Sequence, residues 1–183
     1  MNKYIRACIV VPFGFFKILF TKVFHLKGFK AHVFCMISPW SEISLDYGGH
    51  LSIGKRLKMR DGAKIRVRKN AQCKIGEDFT IGTNCIVACR SKIIIGSKVL
   101  LSPNVQIYDH DHDFRAKRGI ASKEYKTTQV TIGDNVWIGA NSVILRGTKI
   151  GNNCVIGAGS VIKGEYGDNL VIIQNRKTEI KNF

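Results

Sequence analysis

Hydrophobic residues recur at every sixth position between Ile132 and Ile162 of this chain. Glycine often follows the recurring isoleucine, and a small or β-branched residue stands four positions after it. Neither the α-helical period of about 3.6 nor the β-strand period of about 2 produces such a repeat. A chain that forms one short strand and one bend every six residues does, and three such units close one coil. The pattern therefore predicts an all-β protein, a parallel β-helix with a continuous aliphatic core.

The same period continues upstream as far as Ile37. The spacing between coils widens in three places, each time after the third strand of a coil, so we expect these insertions at one edge of the prism. The largest insertion, residues 108–130, is predicted to be a loop, and loops on a regular scaffold often carry function. Gly and Asn are expected at the bends, which bulky side chains resist. The predicted segments are residues 1–36, a β-helix over 37–173, and a tail over 174–183.

Residues 1–36 do not follow the period. From Pro12 onward, Phe13, Phe16 and Phe20 share one helical face with further apolar residues, and lysines flank that face. We expect a basic amphipathic helix that lies in the plane of an anionic membrane surface. The alternative is a helix that packs on the β-helix or on a neighbouring subunit. The apolar run is only ten residues long, which is too short to span a bilayer comfortably.

The charge of the chain favours anionic partners, because it contains 29 lysines and arginines but only 13 acidic residues, which gives a formal net charge of +16. No nucleic-acid-binding motif is visible, so we do not expect nucleic acid as a partner. Membrane lipids or an anionic glycan carrier fit better. The six cysteines include no C-x-x-C pair, which indicates a reduced, cytoplasmic protein without structural zinc or disulfides. A peripheral position at the inner face of the cytoplasmic membrane is the expected location.

The run VWIGANSVILRGTKIGNNCVIGAGSVI, which begins at Val136, resembles the left-handed β-helix acyltransferases of the hexapeptide-repeat family. Within that family the chain is similar to the branch that O-acetylates sugars and polysaccharides, which includes maltose and galactoside acetyltransferases. The resemblance implies a left-handed β-helix, a homotrimer with its sites between subunits, and acetyl-CoA as the co-substrate. It implies a fold more directly than a chemistry, since one fold hosts many activities.

The predicted loop opens with Tyr-Asp-His-Asp-His-Asp at positions 108–113. Acyl transfer from a thioester to a hydroxyl needs a base that takes the hydroxyl proton, and a neutral imidazole suits this role at pH 7. Counted from the segment 102–105, the family's catalytic histidine falls on His112, and His110 is the alternative. An aspartate of this run could orient the imidazole, although a backbone carbonyl would serve as well.

Tyr108, Asp109 and Arg90 are the candidate acceptor-binding residues. Galactoside acetyltransferases carry an Asn-rich segment where this chain has Ala-Cys-Arg at 88–90, so a simple neutral disaccharide is not the expected acceptor. A cationic Arg90 would suit an acidic or diphosphate-linked sugar. The Asp-His run could also ligate a divalent ion, but zinc-binding members of the fold use a different histidine spacing. No metal is therefore expected.

The resemblance places acetyl-CoA in the groove between neighbouring prisms. Small residues there let the pantetheine arm run close to the backbone, and basic residues can pair with the nucleotide phosphates. The candidate residues for acetyl-CoA are Trp137, Gly139, Ala140, Gly157, Ala158, Lys163 and Arg176.

The expected function is acetyl-CoA-dependent O-acetylation of a sugar hydroxyl, in a cell-surface polysaccharide or its lipid-linked precursor. Transfer would be direct, with a histidine as general base. Two alternatives stay open on the sequence. The first is an N-acetyltransferase that acts on an amino nucleotide-sugar, and the second is a non-catalytic hexapeptide scaffold.

Overall fold

The computed structural model describes residues 3–175, with side chains from Cys8 onward. Three parallel sheets form the sides of a triangular prism, and the chain visits them in turn, so that each round closes one coil. Sheet A contains β1 (Phe29–Ala31), β4 (His50–Ile53), β7 (Gln72–Ile75), β10 (Lys92–Ile95), β15 (Val130–Ile132), β18 (Lys149–Ile150) and β21 (Glu165–Tyr166). Sheet B contains β2 (Met36–Ile37), β5 (Lys58–Met59), β8 (Thr80–Ile81), β11 (Leu100–Leu101), β16 (Trp137–Ile138), β19 (Val155–Ile156) and β22 (Val171–Ile172). Sheet C contains β3 (Glu42–Leu45), β6 (Lys64–Val67), β9 (Ile86–Cys89), β12 (Gln106–Tyr108), β17 (Val143–Ile144) and β20 (Val161–Ile162).

The core is a set of aliphatic columns that run along the prism, one for each inward position. In sheet A, Ile53, Ile75, Ile95, Ile132 and Ile150 are register partners from one coil to the next, and all five are buried. Full burial of an aliphatic side chain contributes about 1.5–3 kcal/mol, so these columns supply much of the stability of the coils. The predicted β-helix is confirmed.

Asparagine occupies several bends between sheets A and B, as the sequence predicts. Asn135, Asn153 and Asn169 all have φ between 55° and 60°, a left-handed conformation that Asn adopts more readily than most residues. Their side chains form a ladder from coil to coil, with an amide nitrogen to amide oxygen distance of 3.0 Å at each step. The ladder links the exposed bends of successive coils through their side-chain amides.

The three insertions all lie at the edge where sheet C passes to sheet A, as predicted. The largest contains a hairpin of β13 (His110–His112) and β14 (Tyr125–Thr127), with a 3-10 turn at Gly119–Ser122. The N-terminal boundary of the β-helix differs from the expectation, because β1 already pairs with β4 through Phe29 and Leu51. The first coil therefore begins at residue 29 rather than 37. The six-residue spacing does extend back to Ala31, the register partner of Ile53, but an alanine does not stand out as a member of an aliphatic repeat.

The N-terminal helix α1 (Lys3–Phe24) packs against the first coil. Val10 and Ile18 are buried, and Gly14 between them approaches the first coil so closely that a Cβ there would lie 2.6 Å from the Cys35 carbonyl oxygen. The Lys17 ammonium donates a hydrogen bond to the Ser41 carbonyl oxygen. One face of α1 therefore packs on the β-helix, which is the alternative given above for this segment. Within residues 3–175, no helix has the length and apolarity needed to cross a membrane.

Candidate active site

The hairpin that leaves the C-to-A edge holds both candidate histidines on β13. Its register pairs His110 with Thr127 and His112 with Tyr125. At the base of the hairpin, the Thr128 amide donates to the Asp109 carbonyl oxygen over 2.9 Å. The predicted loop is therefore ordered where it leaves the prism.

Asp109 lies directly beneath the hairpin and is completely buried. Its carboxylate accepts the backbone N–H groups of Arg90 at 2.8 Å and Ser91 at 2.7 Å, and it lies 2.9 Å from Nδ1 of His110. Burial by itself raises the pKa of Asp109, but the hydrogen bonds from His110 and the two amides outweigh it and hold the pKa below the usual range. The expectation that Asp109 contacts the acceptor is wrong, because no surface of its side chain is accessible.

His110 has the geometry of an oriented base. The Asp109 carboxylate can only accept hydrogen bonds when ionised, so in the neutral form of the ring Nδ1 carries the proton and Nε2 carries the lone pair. Edge-to-face contacts with Tyr108 and Tyr125, at centroid distances of 5.9 and 5.5 Å, fix the plane of the imidazole. The His110 side chain is 15% exposed, so it is not sealed from the solvent as Asp109 is.

His112 lies two residues further along β13, on the same face of the strand as His110, and its side chain is exposed. Its ring stacks against Tyr125 with a centroid distance of 4.5 Å. Within the described residues, no hydrogen bond orients its imidazole. The assignment of His112 as the base, which comes from the resemblance, stays a prediction, and His110 is the better positioned of the two rings.

Tyr125 joins these groups into one cluster, and the sequence did not point to it. The Arg90 guanidinium carbon lies 3.4 Å from the centre of the Tyr125 ring, a close cation–π contact. Tyr108, at the other side of His110, donates its hydroxyl to Gln106 over 2.8 Å, and burial raises its pKa. Arg90 and Tyr108 are both half-buried beside the histidine, which is compatible with the acceptor role predicted for them.

The remaining aspartates of the motif hold the hairpin in place. Asp111 accepts a hydrogen bond from Arg146 over 2.5 Å, and Arg146 also donates to the Thr128 hydroxyl over 3.3 Å. Asp113 pairs with Lys126 across the hairpin at 3.2 Å. These carboxylates are therefore engaged by cations of the chain itself. Arg146 lies 35 residues from Asp111, and only the fold brings the two together.

Four of the residues predicted to bind acetyl-CoA lie together at the edge between sheets B and C. Gly139 and Ala140 follow β16, Gly157 and Ala158 follow β19, and Gly139 donates its amide to the Ile156 carbonyl oxygen over 2.8 Å. Gly139-Ala140 and Gly157-Ala158 stack on each other in successive coils, and no large side chain projects from these four residues. A Cβ on Gly139 would lie 2.6 Å from the Ala158 nitrogen, so coil stacking alone already requires that glycine.

The other predicted acetyl-CoA residues lie elsewhere. Trp137 stands on sheet B, half exposed, with its indole N–H 2.9 Å from the Ser102 hydroxyl oxygen. Lys163 is exposed at the C-to-A edge, and Arg176 falls outside the described residues. Within one chain, the width of sheet C separates the glycine edge from the hairpin.

Comparison with known proteins is consistent with this architecture. The family model described as bacterial transferase hexapeptide (six repeats) matches residues 129–164. A Dictyostelium discoideum protein named as an acetyltransferase is 34% identical over 146 residues, which cover 76% of each chain. The chain belongs to the hexapeptide-repeat acetyltransferase family.

Two further comparisons concern one curated relative and one solved structure. The galactoside O-acetyltransferase of Escherichia coli is 38% identical over 101 residues, or 53% of this chain and 47% of the relative. The chain thus spans about half the length of that curated relative. AntD from Bacillus cereus, an N-acyltransferase whose crystal structure contains dTDP and 3-hydroxybutyryl-CoA, shares the fold with a TM-score of 0.69. It is 20% identical, and the match covers 84% of this chain and 82% of AntD.

Proposed function

We propose that this hexapeptide-repeat protein transfers the acetyl group of acetyl-CoA to a sugar hydroxyl, in a cell-surface polysaccharide or its lipid-linked precursor. The observation that carries the proposal is the hydrogen bond between His110 and the buried carboxylate of Asp109, in a chain whose relatives are named as acetyltransferases. The test is release of free thiol from acetyl-CoA that depends on a glycan acceptor. Absence of thiol release with every glycan would leave the non-catalytic scaffold as the better account.

The chain supplies the proton chemistry of this transfer. We propose that Nε2 of His110 takes the proton of the acceptor hydroxyl while that oxygen attacks the thioester carbonyl carbon. The carbon–sulfur bond then breaks, and the imidazolium returns the proton to the thiolate that leaves. Buried Asp109 holds the ring in the correct tautomer and stabilises the imidazolium charge, without itself taking the proton. No covalent acyl-enzyme is required, because the acceptor oxygen itself attacks the thioester carbon and no side chain of the protein takes the acetyl group.

Acetyl-CoA is proposed to lie along the edge formed by Gly139, Ala140, Gly157 and Ala158. AntD, which shares the fold, is crystallised with an acyl-CoA, and this edge has no large side chains, with Ala140 and Gly157 partly accessible and Ala158 exposed. Because sheet C separates the edge from the hairpin within one chain, we infer that the hairpin facing this edge belongs to another copy. We therefore propose a homotrimer with closed rotational symmetry, in which each site is shared by two protomers.

The two glycines of this edge should respond differently to alanine. A Cβ on Gly157 would lie 3.4 Å from its nearest neighbour, an ordinary van der Waals distance, whereas one on Gly139 would clash at 2.6 Å. Gly157→Ala should therefore keep the melting temperature but weaken acetyl-CoA binding at least tenfold, a loss of about 1.4 kcal/mol. Gly139→Ala should lower the unfolding free energy by about 1–3 kcal/mol. Isothermal titration and thermal unfolding of both variants check this. Unchanged affinity in a stable Gly157→Ala would remove that glycine from the acetyl-CoA site.

We propose that α1 holds the protein at the inner face of the cytoplasmic membrane. Its face opposite the β-helix is apolar and exposed: Phe16, Phe20 and Phe24 are each 66–67% accessible. Lys22 and Lys27 flank this face, which combines apolar area with attraction to anionic lipids. The net charge of +16 acts in the same direction.

Vesicle sedimentation tests this membrane contact. The wild-type protein should sediment with vesicles that contain phosphatidylglycerol, and Phe16→Ser with Phe20→Ser should lower the partition coefficient more than tenfold, since each buried Phe contributes about 1.5–3 kcal/mol. Phe114→Ser is the matched control, because Phe114 is equally exposed, at 66%, on the hairpin. Equal sedimentation of all variants would contradict the proposal. A double variant that changes the oligomeric mass instead would show that another copy covers this face.

A further inference from the structure

A basic groove lies on the outer surface of sheet A, across β1, β4, β7 and β10. Side chains alternate along each strand, so residues of β1, β4, β7 and β10 that do not enter the core point outward here. The outward positions that line the groove include Lys30, His50, Lys74 and Lys92, and Lys27 stands at its N-terminal end. The groove encloses about 600 Å³, and none of its lining residues is acidic.

The groove lysines lack the partners that cations elsewhere on the prism have. Arg66 pairs with Glu42 at 2.7 Å on sheet C, and Lys149 lies 4.0 Å from Glu165 further along sheet A. Within the described part of the chain, no carboxylate lies within ion-pair distance of Lys30, Lys74 or Lys92. Several uncompensated cations on one surface attract a multiply charged anion.

The register brings the lysines close enough to act on one ligand. Lys30, Ser52 and Lys74 are consecutive partners across β1, β4 and β7. Neighbouring strands lie about 4.7–4.9 Å apart, so the Cα atoms of Lys30 and Lys74 are separated by roughly 10 Å. Two flexible ammonium groups at this distance can bind one diphosphate, whose charge would relieve their mutual repulsion.

The two ends of the groove differ in chemistry. At the N-terminal end it continues into an apolar cleft lined by Val23, Phe24, Leu26 and Tyr47, and the cleft and the groove share Lys27 and His50. At the other end, Lys92 follows Ser91, whose amide binds the Asp109 carboxylate. Apolar surface, cationic surface and the oriented histidine therefore follow one another along the molecule.

We propose that this groove binds the diphosphate of a lipid-linked glycosyl diphosphate. The isoprenoid chain leaves through the cleft beside α1, the lysines of sheet A bind the diphosphate, and the sugar extends toward His110. This inference rests on the proposed acetyl transfer and specifies the acceptor class of that same site. A soluble nucleotide diphosphate-sugar shares the phosphate chemistry but has no isoprenoid chain to occupy the apolar cleft, so the lipid-linked form is the better match.

Calorimetric binding of farnesyl diphosphate, UDP and inorganic pyrophosphate tests the proposal with the full-length protein. Farnesyl diphosphate should bind more tightly than UDP or pyrophosphate, and Lys30→Gln with Lys74→Gln should weaken it at least tenfold. The matched control is Lys58→Gln with Lys149→Gln, which removes the same charge from sheet B and from the far end of sheet A. It should change the affinity less than twofold.

Three outcomes would overturn the inference. Equal losses in the groove and control variants would mean that net charge alone attracts the probe. Full affinity in the Lys30 and Lys74 variant would place the diphosphate elsewhere, and UDP binding tighter than farnesyl diphosphate would replace the lipid by a soluble nucleotide. Acetyl-CoA binding, measured on the same samples, separates the two levels. If the wild-type protein binds acetyl-CoA but the diphosphate measurements contradict the groove, only this inference is wrong. If acetyl-CoA does not bind, the proposed transfer itself falls.

Discussion

Replacement of His110 by alanine should lower the rate of acetyl transfer by about 10²–10⁴-fold, the usual contribution of general-base catalysis. A buried carboxylate holds the His110 ring through Nδ1 and so orients the lone pair on Nε2. Within the described residues, no other imidazole of the hairpin is held in this way. His112→Ala should cost less than about tenfold by the same reasoning, because no hydrogen bond holds its ring in a catalytic orientation. Steady-state kinetics of the two variants, with acetyl-CoA binding as the control for folding, measure the difference.

The two histidines can also be distinguished by chemical rescue. Added imidazole should restore part of the activity of His110→Ala, since it can occupy the vacated space above Asp109 and act as the base. Little rescue is expected for His112→Ala, because the resident base would still be present. The reverse pattern, a large and rescuable loss at His112, would confirm the assignment from family resemblance and give His110 a role in ordering the hairpin.

The second large effect should appear when two inactive variants are mixed. His110→Ala lacks the base, and Gly157→Val obstructs the acetyl-CoA edge, so each homotrimer alone should be almost inactive. If each site takes its histidine and its glycine edge from different copies, random trimers formed on co-expression restore about one quarter of the sites. The reason is that one half of the subunits supply an intact histidine, and one half of their neighbours an intact edge.

The control for complementation is a mixture of separately assembled variants that do not exchange subunits, which should stay inactive. Thermal unfolding has to show that both variants fold. If the co-expressed mixture also stays inactive while mixed trimers form, the histidine and the glycine edge belong to one chain. That result would contradict a site shared between protomers.

The sequence predicts the solenoid well because its core obeys a local rule. Each coil needs an inward residue at every sixth position, and Ile132 through Ile162 display this rule without tertiary information. The insertions at the C-to-A edge could be located for the same reason. The start of the first coil was missed because its six-residue position on β1 is Ala31 rather than a large aliphatic residue, so only the pairing of β1 with β4 reveals it.

The site was less predictable, because its contacts join residues far apart in the chain. Asp109 looks like an exposed loop residue, yet the amides of Arg90 and Ser91 from the preceding coil enclose its carboxylate. Neither Tyr125 nor Arg146 belongs to a recognisable motif. The hairpin register brings Tyr125 to the histidines, and the next coil brings Arg146 to Asp111 between them. Individual lysines can be seen in the sequence, but their alignment across sheet A depends on strand register.

The most direct test of the account is identification of the acetylated product by mass spectrometry, with radiolabelled acetyl-CoA and candidate lipid-linked glycans. The account predicts an acetyl ester on a sugar hydroxyl that hydroxylamine removes, formed by the wild type and lost in His110→Ala. A hydroxylamine-stable amide on an amino sugar, or label that never reaches a glycan although acetyl-CoA binds, would contradict it.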